Sequence, residues 1–425
     1  MDQAEIQKLS FSRRYYYRYL VSFVDFLVPQ DVAKVEVSSF EAAKNKKINF
    51  TDSRFDYIVA SDVLGHIYDI DAFLLEVHKR LQDDGRLVIT QYSALWEPVL
   101  RIASLFGLRK AVIEQNWLTR DDLKNFVSLA GFETVKCSSK MIMPIYIPFI
   151  SAFLNKIFAN IWPFSRLGLF HYLVARKSGN GFVKKSPSLS IVVPTRNEAG
   201  MIEKIVKELP ELGEFTEIIF IEGNSTDNTF QEIEKVAKKY ADKKKIKYAK
   251  QKGRGKGDAV RLGFDIARGD ILAIYDADMT VPPLEIQKFY RALLEGRGDF
   301  INGSRLVYPL QKESMRVLNV FGNKFFSFAF SAILGEPIKD TLCGTKVLWR
   351  KDYQKIKKGR AFFGDFDPFG DFDLLFGAAK LNLKIIDIPI HYKERTYGQT
   401  NIRRWSHGWL LFKMTIFAAR KIKFR

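Results

Sequence analysis

The chain has 425 residues but only two cysteines, Cys137 and Cys343, far apart in sequence. That excludes a disulfide framework and a cysteine zinc site, and it fits a reducing compartment. The five histidines, His66, His78, His171, His391 and His407, show no metal-ligand spacing. No segment reaches the ~18–20 uninterrupted apolar residues of a transmembrane helix. The nearest, residues 141–155, carries no formal charge but is broken by Pro144 and Pro148, and residues 157–165 extend it after Lys156. This stretch is apolar enough to dip into a membrane face or to pack against a partner. The N-terminus is polar, with no early apolar core, so no signal peptide is expected. Acidic residues are also short: Asp and Glu number 48 against 67 Lys and Arg, a formal net charge of +19. Residues 1–180 carry 23 basic and 19 acidic residues, so most of the excess lies after them. Such a surplus fits an anionic partner: nucleic acid, a membrane surface or phosphate-bearing substrates. No nucleic-acid-binding module accompanies the charge, so no nucleic-acid partner is expected.

Hydrophobic residues make up 47% of the chain, enough for two domains with cores. Residues 11–28 read as an aromatic amphipathic helix. Residues 55–61 and 86–91 read as strands, with a helix at 71–81 and an Asp83-Asp84-Gly85 turn between them. A helix over 119–130 opens with a Thr-Arg-Asp-Asp cap and closes at Gly131. Residues 179–187, rich in Gly, Ser, Lys and Pro, read as a linker. Strands at 189–193, 217–221, 246–249 and 271–275 then alternate with helices near 201–209, 229–240 and 259–267, the pattern of a second α/β unit.

Polar clusters end these later strands. Pro194-Thr195-Arg196-Asn197-Glu198 follows the first, residues 222–227 (EGNSTD) the second, residues 253–258 (GRGKGD) the third, and Asp276-Ala277-Asp278 the fourth. The carboxyl ends of parallel strands are where open α/β sheets bind ligands. The glycine-rich GRGKGD segment matches neither a Walker A loop nor a dinucleotide fingerprint. Two carboxylates two residues apart at a strand end can share a hard cation; Mg²⁺ favours one or two carboxylates plus substrate phosphates. Singly, each cluster has an ordinary explanation as a strand-end turn. Four in order point to a site.

Residues 192–198 (VVPTRNE), 222–229 (EGNSTDNT), 255–270 (GKGDAVRLGFDIARGD) and 276–283 (DADMTVPP) resemble the inverting GT-A glycosyltransferases of family 2. The downstream segments 303–305 (GSR), 340–346 (DTLCGTK) and 395–401 (RTYGQTN) are most similar to the polyprenyl-phosphate sugar transferases, the dolichol-phosphate-mannose synthase type. The resemblance covers about 188–402 and implies a GT-A domain over 188–401 with a mostly parallel, Rossmann-like sheet. It implies nucleotide-sugar contacts from Pro194, Thr195, Glu198, Glu222, Asp227, Lys256 and Asp276. It also implies Mg²⁺ or Mn²⁺ on Asp276 and Asp278. Lys256, Arg305, Lys346 and Arg395 are the cations for the leaving diphosphate or an acceptor phosphate, with Arg suited to bidentate contacts. Asp371 and Asp373 are the base candidates for a hydroxyl acceptor, Asp371 matching the family's base region better. A phosphate monoester, with a second pKa of about 6, is already a nucleophile and needs only orienting. Asp373 has a plainer alternative as a helix N-terminal charge. Glu222 stands where the family usually has Asp, Gly223 replaces a second Asp, and Thr280 stands where related enzymes often have Gln. Uridine and guanosine donors both stay open.

Residues 55–93 and 117–135 resemble the middle and later parts of a class I S-adenosylmethionine methyltransferase. The glycine-rich cofactor turn is missing, since the first glycine of the chain is Gly65. Only about 25 residues separate Pro29 from Phe55, where one βαβ crossover alone takes ~30. The first part, 1–178, is therefore expected to be a smaller α/β remnant, non-catalytic, with no S-adenosylmethionine bound.

Residues 402–425 read as a basic amphipathic helix. Ile402, Trp405, Trp409, Phe412, Ile416 and Ala419 form one stripe with Lys and Arg around it, which suits an anionic membrane interface. Residues 325–335 are a second interfacial segment. The expected protein is peripheral on the cytoplasmic face of a membrane. It moves a sugar from a UDP- or GDP-sugar to a polyprenyl phosphate or another membrane lipid. A glycan or glycolipid hydroxyl is the alternative acceptor, and a non-catalytic scaffold is the alternative of another class.

Overall fold

The structure is a computed structural model. It describes Gln7, Tyr397 and residues 11–38, 53–106, 115–179, 186–308, 317–362, 371–395 and 404–424; of residues 11–13, 317–321, 371 and 404–407 it describes the backbone alone. The chain forms two compact units, one of Met1–Asn180 with Lys423–Arg425 and one of Gly181–Ile422.

In the first unit, helix α1 (Phe11–Leu27) precedes β1 (Lys34–Ser38) and β2 (Phe55–Ser61). Helix α2 (Ile70–Arg80) then leads into β3 (Leu81–Tyr92), followed by α3 (Glu97–Leu105) and α4 (Arg120–Leu129). Strand β4 (Phe132–Lys140), the short helix α5 (Ile150–Lys156) and β5 (Phe170–Lys177) complete it. The sheet runs β1-β2-β3-β5-β4, parallel from β1 to β3 and antiparallel at β5. Asp69 caps α2 by accepting from Ala72 N at 2.9 Å, and Thr119 with Asp122 closes a capping box on α4. Leu74, Val77, Leu123 and Val127 are fully buried where these helices cover the sheet. Strand β3 starts earlier than the Asp-Gly turn suggests. Leu81 pairs with Phe55 and Arg86 with Tyr57, so the turn rides on the strand as an irregularity. β1 and β2 are direct parallel neighbours with only residues 39–54 between them, so the sheet has no strands inserted at that point.

The second unit opens with β6 (Leu189–Thr195), α6 (Ile202–Glu208), β7 (Thr216–Glu222) and α7 (Thr229–Lys239). Strand β8 (Lys245–Lys250), α8 (Lys256–Ile266), β9 (Ile271–Ile274), α9 (Ile286–Leu294) and β10 (Phe300–Ser304) follow. Next come α10 (Val317–Leu334), β11 (Lys346–Trp349), α11 (Arg350–Lys358), α12 (Asp371–Lys380), β12 (Ile385–Pro389) and α13 (Arg404–Ala418). Seven strands form one sheet in the order β12-β10-β11-β9-β6-β7-β8, with β11 alone antiparallel. Apolar cores cover both faces, so β6, β7 and β9 read as continuous hydrophobic runs. A Cβ at Gly263 would overlap Val192, so glycine lets α8 lie close on β6.

Helix α13 belongs to this core: Leu411, Met414 and Ala418 are buried in it. Trp409, Phe412 and Ile416 of the predicted stripe face outward instead, and the side chain of Trp405 and all of Ile402 lie outside the described residues. Among the described residues no helix is long and apolar enough to cross a membrane.

Candidate active site

The strand ends after β6, β7 and β9 lie side by side because the strands are parallel and in register: Thr195 faces Glu222, and Val192 faces Ile274. Their loops are laced together. Gly223 N donates to Thr195 O at 2.9 Å, Asn197 N to Ser225 Oγ at 3.0 Å, and Thr226 N to Asn197 Oδ1 at 2.8 Å. Asn197 and Asn224 take φ of 56° and 59°, a left-handed conformation that asparagine tolerates. The Glu222 carboxylate accepts from Ser225 N at 2.5 Å, so it closes its own turn. Thr195 turns its hydroxyl back to Val193 O at 2.9 Å, and Pro194 is half-buried on β6. Asp227 accepts from the Thr229 backbone and hydroxyl at the start of α7.

Four acids converge electrostatically: Glu198, Asp227, Asp276 and Asp278. Two cations answer them. Lys256, the first residue of α8, lies 2.7 Å from Asp276 Oδ1. Arg395 reaches Asp278 Oδ2 at 2.8 Å and Glu198 Oε1 at 3.4 Å. Burial alone would push the Asp276 carboxyl up, but Lys256, with Arg305 and Lys346, holds it below its usual value. Glu198 goes the other way. Burial raises it to about 7 against the pull of Arg395, and Asp278, Asp227 and Asp276 add to the rise. Its Oε2 is buried and has no hydrogen-bond partner among the described residues.

The supports are local. Asp258 accepts from Gly253 N at 2.9 Å and so closes the glycine-rich loop that presents Lys256. A Cβ at Gly344 would overlap both the Asp276 carboxylate and Lys256 Nζ, so this glycine sits directly on the pair. Thr280 donates its hydroxyl to Asp278 Oδ1 at 2.9 Å; it orients that carboxylate and is not an outward-facing ligand. Tyr397 lies against Gly200.

Other expected site residues are placed differently. Arg305 is engaged by the fully buried Asp340: Nε to Oδ2 at 2.8 Å and Nη2 to Oδ1 at 3.0 Å. Asn323 adds a bond to Asp340 at 2.7 Å. Arg305 is thus held in an ion pair with Asp340 within the chain. Lys346 is fully buried and donates to Cys343 O, so it too acts from within. Asp373 is held by Arg261 at 3.3 Å and Arg360 at 3.2 Å in the first turn of α12. Its carboxylate is therefore engaged by two guanidiniums within the chain. Asp371 begins α12, and its side chain lies outside the described residues. Asp340 and Gly344 were visible only as part of a motif, and nothing local in the sequence marks one as an arginine's counter-charge or the other as a lid on an ion pair.

Paired acids, a glycine-rich cation loop and an arginine clamp at the carboxyl edge of this sheet suit a phosphate-bearing, cation-dependent ligand. Residues 190–357 match the family model described as glycosyl transferase family 2, and residues 12–136 match a methyltransferase domain model. The chain carries a family 2 glycosyltransferase domain. Among its relatives, glycosyltransferase AglJ of Haloferax volcanii is 27% identical over 227 residues, 53% of this chain and 70% of that protein. Dolichyl-phosphate beta-glucosyltransferase of Mus musculus is 28% identical over 244 residues, 52% of this chain and 71% of that protein. Dolichol-phosphate mannosyltransferase of Pyrococcus furiosus is 33% identical over 121 residues, 28% of this chain and 33% of that protein. The chain thus spans between a third and seven tenths of the length of these relatives. Glucosyl-3-phosphoglycerate synthase of Mycobacterium tuberculosis, solved with Mn²⁺ and UDP-glucose, is 18% identical at a TM-score of 0.41, covering 56% of this chain and 80% of that one.

Proposed function

We propose that the glycosyltransferase domain moves a sugar from a UDP- or GDP-sugar to a polyprenyl phosphate, on the cytoplasmic face of a membrane. The observation that carries the reading is the acid cluster of Glu198, Asp227, Asp276 and Asp278, facing Lys256 and Arg395 at one sheet edge. Among the described residues no three such side chains are gathered as ligands for a metal, so a hard divalent cation, Mg²⁺ or Mn²⁺, would rest on Asp276 and Asp278 together with substrate phosphates. Asp276 and Asp278 are two residues apart, and the buried Oε2 of Glu198 beside them has no hydrogen-bond partner among the described residues. Asp276 and Asp278 would hold the cation, which would supply neutralisation of the leaving diphosphate. Lys256 and Arg395 supply further positive charge to the same leaving group.

The state of Asp373 favours a phosphate acceptor. With two guanidiniums on its carboxylate it is a poor base. A phosphate monoester brings its own nucleophilic oxygen near neutral pH, and Asp371 would then orient it. Phe325 and Phe328 of α10, which packs on α13, are exposed with Trp409 and Phe412. They supply an apolar face for an anionic membrane surface that carries the lipid. The methyltransferase-like unit is read as non-catalytic. Around its β2 turn, Gln91 accepts from Gly65 N at 3.0 Å, and Asn116 donates to Leu64 O and Ile67 O at 3.0 Å, so its own side chains pack that turn.

The test is product analysis by mass spectrometry. The chain is incubated with UDP- and GDP-sugars, Mg²⁺ or Mn²⁺ and short polyprenyl phosphates, beside Asp278→Asn. The expected result is a glycosylated lipid phosphate that vanishes in the variant. Metal-dependent donor hydrolysis with no lipid product would move the acceptor to a hydroxyl. Absence of donor binding would leave a scaffold.

A further inference from the structure

The first unit carries a surface that its own sheet does not explain. Between β4 and β5 the chain leaves the sheet for residues 141–168, which hold α5 and two short 3₁₀ turns. The polarity there is inverted. Ser151, Asn155 and Asn160 are buried, while Phe149 is 91% exposed, Trp162 72%, and Ile150 and Phe153 about half. Ordinary surface helices do the reverse.

This is a built arrangement. Asn155 Oδ1 accepts from Ile142 N and Met143 N, both at 2.9 Å, and its Nδ2 donates to Met143 O at 2.8 Å and to the Tyr15 hydroxyl at 3.1 Å. Ser151 Oγ donates to Ile147 O at 2.7 Å. Asn160 Nδ2 donates to Lys156 O at 2.9 Å, and its Oδ1 accepts from buried Lys140. These inward polar groups satisfy the segment's backbone and turn its apolar side chains out. Phe149 holds a left-handed φ of 62°, a conformation unfavourable for an aromatic residue. The surface continues onto α3: Trp96 donates to Leu167 O at 2.8 Å, and Val99 and Ile102 beyond it are exposed.

The charge pattern says what the surface meets. After Glu133 the sequence holds no Asp or Glu until Glu198, while Lys156 and Arg166 lie within the excursion. Within the excursion exposed aromatics are flanked by cations and no acid, and the one acid in the first turn of α3, Glu97, is paired with Arg101; such a surface complements an anionic bilayer. Trp lodges at the head-group level, and Lys and Arg reach lipid phosphates. We infer that residues 141–168 are a membrane-docking surface that inserts Phe149 and Trp162 into the interface of an anionic bilayer. The truncated methyltransferase-like unit is then a membrane anchor module. The inference stands apart from the acceptor reading, because docking needs no polyprenyl phosphate.

The test is flotation of the full chain with vesicles of phosphatidylcholine, with and without phosphatidylglycerol and free of polyprenyl lipid. The wild-type chain is expected to float with the anionic vesicles. Phe149→Ser with Trp162→Ser should weaken the partition by about tenfold per residue removed, as burial of an aromatic side chain supplies. Both residues are exposed, so an unchanged thermal unfolding midpoint separates lost docking from lost folding. Quenching of tryptophan fluorescence by brominated lipid should fall in Trp162→Phe. Three results overturn the inference. The wild-type chain stays unbound; the double variant floats as well as the wild type, which assigns binding elsewhere; or the double variant instead turns a wild-type dimer into a monomer, which makes the patch a protein interface.

Discussion

Glu198 gives the sharpest handle on the site. Its carboxyl is raised from 4.5 to about 7, by burial first and then by Asp278, Asp227 and Asp276 against Arg395. Between about 4.5 and about 7 the native chain therefore keeps a proton that the unfolded chain has released. The native state binds more protons, so stability must fall as pH rises from about 4.5 to about 7 and level off above. The shift corresponds to roughly 3 kcal/mol of disfavoured ionisation once pH exceeds about 7. Glu198→Gln keeps the shape and removes the titration. Urea unfolding of both proteins, followed from about pH 5 to about pH 8.5, isolates the effect, because every other group cancels in the difference. The variant's advantage should be under about 1 kcal/mol at the acid end and grow to roughly 3 kcal/mol above neutrality. Mn²⁺ alone should shrink it, since positive charge added beside Asp276 and Asp278 favours the ionised carboxylate. A difference that is flat in pH, or that shrinks as pH rises, would refute the reasoning.

Gly344→Ala should displace the Lys256–Asp276 pair that the glycine covers. Donor turnover should fall about a hundredfold, as small misplacements of a reacting site do, with a near-native thermal midpoint. Asp340→Asn should leave Arg305 buried without its counter-charge and destabilise the second unit by about 3–5 kcal/mol in urea; Arg305→Met added to it should recover most of the loss. Asp340 is held down to about 2, with Arg305 outweighing the effect of burial. Its contribution is therefore present above the unfolded value of 3.8 and should vanish in acid between there and about 2.

Much of the fold was legible because strand runs such as LSIVV and EIIFI are apolar on both faces and end in polar turns. The pattern and the architecture are there one fact. The site's location followed from the same turns. Which charges meet did not. Arg395 finds Asp278 across 117 residues, and Arg305 finds Asp340 across 35, and periodicity carries no information about either pairing. Asp373 shows the same limit, since its arginines come from α8 and from the 3₁₀ turn after α11. Helix α13 was read as a single apolar stripe, yet it has two apolar faces. Leu411, Met414 and Ala418 enter the core, and the stripe of Trp409, Phe412 and Ile416 is the face left over. In the first unit the apolar run was visible, but its orientation was not. That depends on Ser151, Asn155 and Asn160 turning inward to satisfy backbone, which no hydropathy pattern records.

The two cations of the site bear on how it can be both stable and receptive. Lys256 sits on Asp276 and Arg395 on Asp278, so these acids are compensated from within the chain. The same ammonium and guanidinium are the groups a diphosphate would attract. On the proposed reading, binding would be an exchange of partners: Asp276 and Asp278 would hold the metal, and Lys256 and Arg395 would meet phosphate. The exchange predicts opposite signs for one substitution. Lys256→Met frees Asp276 of a competitor, so affinity for Mn²⁺ alone should rise. The pair is partly exposed, which limits the gain to roughly fivefold. Affinity for a nucleoside diphosphate should fall in the same variant, by about tenfold or more, because a charge-assisted contact is lost. Calorimetric titration with Mn²⁺ alone, then with the nucleotide at saturating metal, reads both. If both affinities fall together, Lys256 is holding the carboxylates in place for the metal; if neither moves, the ion pair does not face the ligand at all.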